Sequence, residues 1–286
     1  MRIVIASGKG GVGKSMLASS LSLMFSKERK IVACDCDVDA PNLGLWLGIK
    51  KYDKIEKVST SLKAFVNPRK CNNCDYCIKI CKYGAIKKIN GKIKIDKMLC
   101  EGCGLCEVIC PKGAFKLKPV KNGEIRINTS KYNFPIISGK LYPGEHGSGK
   151  IVEELKEKIN YFPHDLSILD TAAGIGCPVI ASIRGSDFAI LITEPTPSGY
   201  SDLKRIVKVV EHFGISYSIV INKHDINKRM TSRIERIFGR KVIGKISYDD
   251  CVINSLIKMK PVIYTDCKVK KEMEEVYKKL KELLSL

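Results

Sequence analysis

The sequence predicts an α/β protein: a mostly parallel sheet flanked by helices, interrupted by a small α+β insertion. Three observations predict it. The chain opens with an apolar run, a glycine-rich loop and an amphipathic stretch. Strand and helix patterns alternate again from Ile151 onward. Between the two, cysteines fall at short spacings where neither period is sustained. Strands alternating with helices of such lengths imply parallel neighbours that need cover on both faces.

Taken in order, Ile3-Val4-Ile5-Ala6 reads as a strand, Met16 to Phe25 as a helix and Ile31-Val32-Ala33 as a second strand, a βαβ opening. After Ile49 a lysine-rich region runs to about Lys121, and we read residues 58–121 as an inserted domain within a framework of residues 1–57 and 122–286. A glycine-rich stretch, Ser138 to Lys150, follows. Then come a helix at Ile151 to Ile159, strands at Leu166 to Leu169 and Ala189 to Thr193, a helix at Ser201 to Phe213 and a strand at Tyr217 to Ile221. Met273, Val276, Tyr277, Leu280, Leu283 and Leu284 share one helical face at the C-terminus. The opposite face mixes glutamate with lysine, which suits a packed final helix better than one lying on a membrane.

A length of 286 residues accommodates a nucleotide-binding fold plus a small insertion. No run approaches the roughly 20 apolar residues that span a bilayer, so no membrane span is expected. Met1-Arg2 leads straight into the first apolar run, with a glycine loop where a signal peptide would carry its cleavage site; the expected location is the cytoplasm. Thirteen cysteines in a reducing compartment are not expected to pair as structural disulfides, and eight of them lie between Cys71 and Cys110, where metal ligation explains them better. The other five, Cys34, Cys36, Cys177, Cys251 and Cys267, are scattered, as small buried hydrophobes are. The formal charge of +20 points toward an anionic partner. Eight thiolates on two clusters would offset part of it, by about −4, and lysine-rich surface such as Lys268 to Lys281 is also ordinary solvated surface. An acidic protein partner is expected rather than nucleic acid.

Gly8-Lys9-Gly10-Gly11-Val12-Gly13-Lys14-Ser15 matches the phosphate-binding pattern G-x-x-x-x-G-K-[ST], between a strand and a helix as the pattern requires. The glycines let backbone amides wrap the phosphates at a helix N-terminus. Lys14 is placed to reach the β- and γ-phosphates of ATP and Ser15 to complete the Mg²⁺ shell. The additional Lys9 gives the run a resemblance to the deviant Walker-A signature of the MinD/Mrp/nitrogenase iron protein superfamily of P-loop NTPases. That resemblance implies a homodimer with two ATP molecules between its subunits, Lys9 reaching into the partner's site. Val32 to Leu43 resembles the family's first switch, with Asp37 set to orient the hydrolytic water and Asp35 nearer the metal; Asp39 is as readily a simple cap. Leu169-Asp170-Thr171-Ala172-Ala173-Gly174 resembles the second switch with Asp170 as its Walker-B carboxylate, and Ile219 to Lys223 the strand end whose Asn222 contacts adenine.

C-x₂-C-x₂-C-x₃-C occurs twice, as Cys71, Cys74, Cys77, Cys81 and as Cys100, Cys103, Cys106, Cys110, each followed three residues later by Gly-Ala and an apolar residue. The offsets fit the corners of a 4Fe-4S cubane, whereas zinc favours paired C-x₂-C knuckles. The segment resembles bacterial-type ferredoxins, in which the fourth cysteine of each run serves the other cluster. By that resemblance Cys71, Cys74, Cys77 and Cys110 hold one cluster and Cys100, Cys103, Cys106 and Cys81 the second. Pro111 follows the second run as the pattern expects; Lys82 stands in that place after the first. Cys177 follows Asp170 by seven residues, the offset of a cluster-ligating cysteine in the nitrogenase iron protein, which implies a redox contact moved by the nucleotide state.

The expected function is therefore an ATP hydrolase, dimeric and coupled to electron transfer through two 4Fe-4S clusters, acting on a redox partner protein. The alternatives are an Mrp-type ATPase that assembles or carries clusters to an iron-sulfur client protein, and a MinD-like positioning ATPase with the clusters as structural staples. A P-loop kinase is the least supported, since no acceptor pocket is evident.

Overall fold

The computed structural model describes all residues from Met1 to Leu286. The framework begins β1 (Arg2–Ser7), α1 (Lys14–Phe25), β2 (Ile31–Cys36), α2 (Leu43–Trp46) and β3 (Lys54–Val58). Five short strands and two short helices follow: β4 (Ser61–Val66), α3 (Tyr76–Ile80), β5 (Ile86–Ile89), β6 (Lys92–Ile95), α4 (Leu105–Val108), β7 (Phe115–Val120) and β8 (Gly123–Asn128). The rest is β9 (Ile136–Leu141), α5 (Ser148–Ile159), β10 (Leu166–Ala173), α6 (Cys177–Ile183), β11 (Phe188–Thr193), α7 (Pro197–His212), β12 (Ser216–Asn222), α8 (Lys228–Phe238), β13 (Val242–Ile246), α9 (Asp250–Ile257) and α10 (Lys268–Leu284).

Nine strands form one sheet in the order β13-β12-β11-β1-β10-β2-β9-β8-β3. From β13 to β9 every neighbour is parallel, and β8 and β3 close one edge antiparallel. The parallel fold class read from the sequence is the one observed. Alternation along the strands divides the core in two: Ile3, Ile5, Ile31, Ile190 and Ile192 pack on the face covered by α1 and α10, and Val4, Ala6, Val32, Ala189 and Leu191 on the face covered by α5, α6 and α7. Val269, Met273, Val276 and Leu280 of α10 are buried in the first core, so the C-terminal helix is a packed one. No helix is long and apolar enough to cross a membrane.

Four strands of the main sheet, β3, β8, β9 and β13, escaped the sequence reading. β3 and β8 are edge strands in which charged residues intervene, Lys54, Glu56 and Lys57 in the first, Glu124 and Arg126 in the second. β9 lies inside what reads as a glycine-rich connection, and packing explains its Gly139. A Cβ there would stand 2.7 Å from Val38 Cγ1 and 2.8 Å from Leu155 Cδ1, because α5 presses directly on the strand.

The segment without sustained periodicity also has order. β4 pairs with β7 and β5 with β6, both antiparallel and separate from the main sheet. A small core of nine buried residues holds them, including Phe115, Ile86, Ile93, Cys77, Cys100 and Cys106. At its base Asn122, fully buried, takes the amide hydrogen of Thr60 (2.8 Å) on Oδ1 and donates from Nδ2 to the carbonyl of His146 (2.8 Å).

Candidate functional site

The phosphate-loop residues join the C-terminal end of β1 to α1, so the amides at the start of α1 face the crevice beyond the carboxyl ends of the parallel strands, where α/β sheets bind ligands. Gly13 precedes α1 at φ +98°, and a Cβ on it would lie 2.6 Å from Asn222 Nδ2. Both the backbone conformation and the close approach exclude a side chain there. Asn222, at the end of β12, donates from that nitrogen to the carbonyl of Val12 (2.8 Å), so it braces the loop. Lys14 is buried and donates to Ser7 Oγ (3.0 Å); burial lowers its pKa, against the attraction of Asp170 and Asp37.

Asp35 and Asp170 are register partners on adjacent strands, and both are fully buried. Burial pushes Asp170 up to about 7; the Ser15 hydroxyl and the Lys14 ammonium pull it down, and Asp37 pushes it up. Asp35 is raised well above the carboxylate range by burial and then by Asp170, although it accepts the amides of Leu43 (2.9 Å) and Asp37 (3.1 Å). Asp37 is half-buried, raised by burial, and accepts the amide of Ala40 (3.2 Å). The Ser15 hydroxyl lies near enough to lower the pKa of Asp170, yet neither oxygen of that carboxylate has a partner in proper hydrogen-bond geometry. An unpartnered buried carboxylate beside a P-loop serine and lysine is a poor structural element and a good fit for a hydrated divalent cation carrying phosphates.

Beside the loop lies a cavity of about 220 Å³, lined by Gly11, Gly13, Trp46, Asn222 and, from α9, Val252, Ile253 and Leu256. Its position next to the phosphate loop and its apolar wall suit a nucleoside.

Lys9 lies on the surface and pairs with Glu194 of its own chain (3.8 Å), which also holds Lys223 (2.5 Å). Glu194 was not among the expected residues. Its one sequence signal is an acidic side chain directly after a parallel strand, β11.

In the cysteine segment, Cys81, Cys100, Cys103 and Cys106 line a single cavity of about 390 Å³ whose other walls include Ala85, Ile86 and Leu117. Burial, reinforced by Cys100, Cys103 and Cys81, pushes the Cys106 thiol up to about 11. Burial likewise raises Cys77, whose sulfur neighbours Cys71 and Cys74. Cys71 and Cys110 pack on the same small core, and Cys110 Sγ accepts the amide of Ala114 (3.2 Å). All eight thiols are free. No three of their sulfurs stand within 4.8 Å of one another, whereas thiolates on one tetrahedral zinc ion sit about 3.8 Å apart. Thiolates formed beside these apolar walls would need a positively charged partner to be stable there.

Cys177 is exposed at the start of α6, against Gly149 of α5, where a Cβ would lie 3.3 Å from its own. Cys34 and Cys36 are buried in β2 as small hydrophobes. Cys251 and Cys267 correct the expectation of no disulfide: they are bonded, with Cα atoms 6.6 Å apart. A separation of 16 residues with no repeated spacing left the pair invisible in the sequence.

Known proteins share the architecture. The chain is 38% identical to an uncharacterized protein of Methanocaldococcus jannaschii over 99% of this chain and 98% of that one. It is 22% identical to the septum site-determining protein MinD of Helicobacter pylori, covering 97% and 89%. Among solved structures, the cell division ATPase MinD of Pyrococcus furiosus superposes with a TM-score of 0.61 at 17% identity, covering 99% of this chain and 98% of that one. MinD of Pyrococcus horikoshii, solved with Mg-ADP, gives 0.60 at 17%, covering 99% and 96%. The pattern of the CobQ/CobB/MinD/ParA nucleotide binding domain matches residues 3–262. With its phosphate loop in place on a sheet of this order, the chain belongs to the CobQ/CobB/MinD/ParA nucleotide-binding family.

Proposed function

We propose that the chain is an ATPase, active as a homodimer, whose nucleotide state is coupled to electron transfer through two 4Fe-4S clusters in a ferredoxin-like insertion, residues 58–121. The single observation that supports the redox part of this reading is the convergence of Cys81, Cys100, Cys103 and Cys106 on one apolar cavity. Cys71, Cys74, Cys77 and Cys110 are the ligand set of the other cluster. When bound, such clusters supply one-electron transfer.

In this reading Lys14 and the amides of Gly10 to Gly13 bind the ATP phosphates. Ser15, Asp170 and Asp35 hold Mg²⁺ and its waters, Asp37 orients the attacking water, and Asn222 positions the nucleoside wall. Lys9 leaves Glu194 and neutralises phosphate charge in the partner subunit's site. A seam between the insertion and the framework supports coupling. Lys63, 2% exposed, pairs with Glu145 (2.7 Å), and His146 Nε2 lies 3.2 Å from both Glu101 Oε1 and the Met98 carbonyl, on either side of Cys100. Those two residues lead directly into α5, whose Gly149 rests against Cys177 just beyond the second switch. Cys177 is the proposed redox contact; unchanged iron content and ATP response in Cys177→Ala would remove that role.

The test is anaerobic iron analysis and a redox titration followed by EPR, with and without Mg-ATP. About eight irons per chain and reduced-cluster signals that shift with nucleotide are expected. Clusters indifferent to nucleotide would move cluster delivery to a client protein ahead, and absence of iron would overturn the redox reading. The fold likeness to MinD and to a plasmid partition protein of Borrelia burgdorferi favours a second reading, a positioning ATPase. Surface binding that survives loss of iron would select it.

A further inference from the structure

We propose that Cys251 and Cys267 are a reversible dithiol–disulfide pair that sets the grip of the nucleoside pocket, with small thiols and disulfides as the reactant class. The inference rests on reading the cavity beside the phosphate loop as the nucleoside site.

The bridge joins two elements held very differently. Cys267 immediately precedes α10, whose Val269, Met273, Val276 and Leu280 are fully buried in the main core. Cys251 lies in the first turn of α9, where Ser255 is the one buried residue and Ile253 and Ile257 are half-exposed or more. α10 is therefore a fixed post and α9 a lightly attached wall. The next residues along that wall, Val252, Ile253 and Leu256, line the pocket. Besides the bridge, the first turn of α9 is held by its own cap, Asp249 accepting the Cys251 amide (2.8 Å), and by Val252, half-buried against the edge of the main core. Opening the bridge leaves Val252 as the main apolar anchor of this turn and loosens the pocket wall at Ile253 and Leu256, which are exposed.

Chemistry and access suit reversal. Both cysteines are half-buried, so a small thiol reaches them, and their Cα separation of 6.6 Å lies within disulfide range. The other eleven cysteines are free, eight of them in runs that call for a reducing compartment. Oxidation proceeds by exchange with a small disulfide RSSR. One cysteine thiolate attacks a sulfur of RSSR, forming a mixed disulfide and releasing RS⁻, which takes a proton. The second cysteine then displaces the remaining RS group as thiol. The pair loses two electrons and two protons, and RSSR becomes two RSH.

The same geometry has a competitor. Asp249, Cys251 and Cys267 place their ligand atoms within 4.8 Å of one another, a grouping open to a soft divalent ion. Asp249 is already engaged as the helix cap, and three ligands leave a tetrahedral ion incomplete, so we assign the pair to redox chemistry.

The experiment equilibrates the whole protein anaerobically with reduced and oxidised dithiothreitol in varied ratio. The Cys251 and Cys267 peptides are read by differential alkylation and mass spectrometry, and binding of a fluorescent ATP analogue with Mg²⁺ is measured on the same samples. The expected result is interconversion of the pair, with the disulfide form binding about three- to tenfold tighter because its wall is pre-organised. Cys251→Ser and Cys267→Ser should each bind like the reduced protein and ignore the ratio. A bridge that never opens, a pair that never oxidises, or equal binding in both states overturns the inference and leaves the nucleoside site standing. Stoichiometric zinc uptake by the reduced pair, lost in both serine variants, also overturns it in favour of a metal site. Binding in neither state overturns the nucleoside site as well.

Discussion

Replacing Asp170 by Asn should stabilise the nucleotide-free protein while abolishing hydrolysis. Asp170 is fully buried, has no hydrogen-bond partner on either oxygen and is pushed by burial from 3.8 to about 7. Its folded pKa is raised, so between about pH 4 and pH 7 the folded state holds a proton that the unfolded state has lost. Stability from this group therefore falls as pH rises through that window. By pH 7 the gap corresponds to about 4 kcal/mol. Asn removes the buried charge but also the attraction that Lys14 feels, so a net gain of about 2 kcal/mol is the expected order. For a chain of this length that is a rise in melting temperature of about 3 °C. The assay is thermal or urea unfolding of both proteins with chelator at pH 7 and near pH 4, where both side chains are neutral and the advantage should vanish. With Mg-ATP the ranking should reverse, because only the parent chain retains the cation ligand. A variant no more stable than the parent at pH 7, or an advantage undiminished near pH 4, would refute the reasoning.

Two further outcomes are expected. Lys9→Ala should leave ATP binding within about twofold, since Lys9 sits outside its own loop on Glu194; nucleotide-dependent dimerisation should fall away, and phosphate release should drop about 10³-fold or more, as checked by light scattering and a phosphate assay. Gly139→Ala should destabilise the chain by about 1 to 3 kcal/mol in urea unfolding, because its Cβ would meet Val38 and Leu155 inside van der Waals contact.

Local chemistry was legible in the sequence and long-range pairing was not. The phosphate loop announces itself because amides can approach phosphates only where glycines fall at fixed positions. The two cysteine runs do so because three ligands come from one short turn. Each carboxylate of the crevice comes directly after an apolar run, toward the C-terminal end of its strand, so Asp35 and Asp170 could be named without knowing that they are register partners. Glu194, which holds Lys9, and the bridge from Cys251 to Cys267 depend on elements brought together by the fold, and spacing carries no trace of them. Gly139 misled in the other direction: a residue that usually marks a turn is there because a helix lies on the strand.

The insertion shows why an unperiodic stretch can still be an ordered one. It leaves the framework at β3 and returns at β8, antiparallel neighbours in which Val58 faces Gly123. Some sixty residues thus enter and leave through the width of one hairpin. Nine buried residues are a small core for a segment of that size, and three of them are Cys77, Cys100 and Cys106. Small modules with so little apolar area are held by disulfides, by metal or by a larger body beside them. All eight cysteines here are free, and the ties to the framework, Lys63–Glu145, His146 to Glu101 and Met98, and Asn122 to Thr60, lie on one side of the segment near its base. Thiols crowded into apolar walls without a counter-charge weaken the module further, because each thiolate formed is buried next to others. A positively charged group binding those sulfurs would remove that repulsion and add cross-links together, so on the proposed reading the apo segment should unfold more readily than the loaded one.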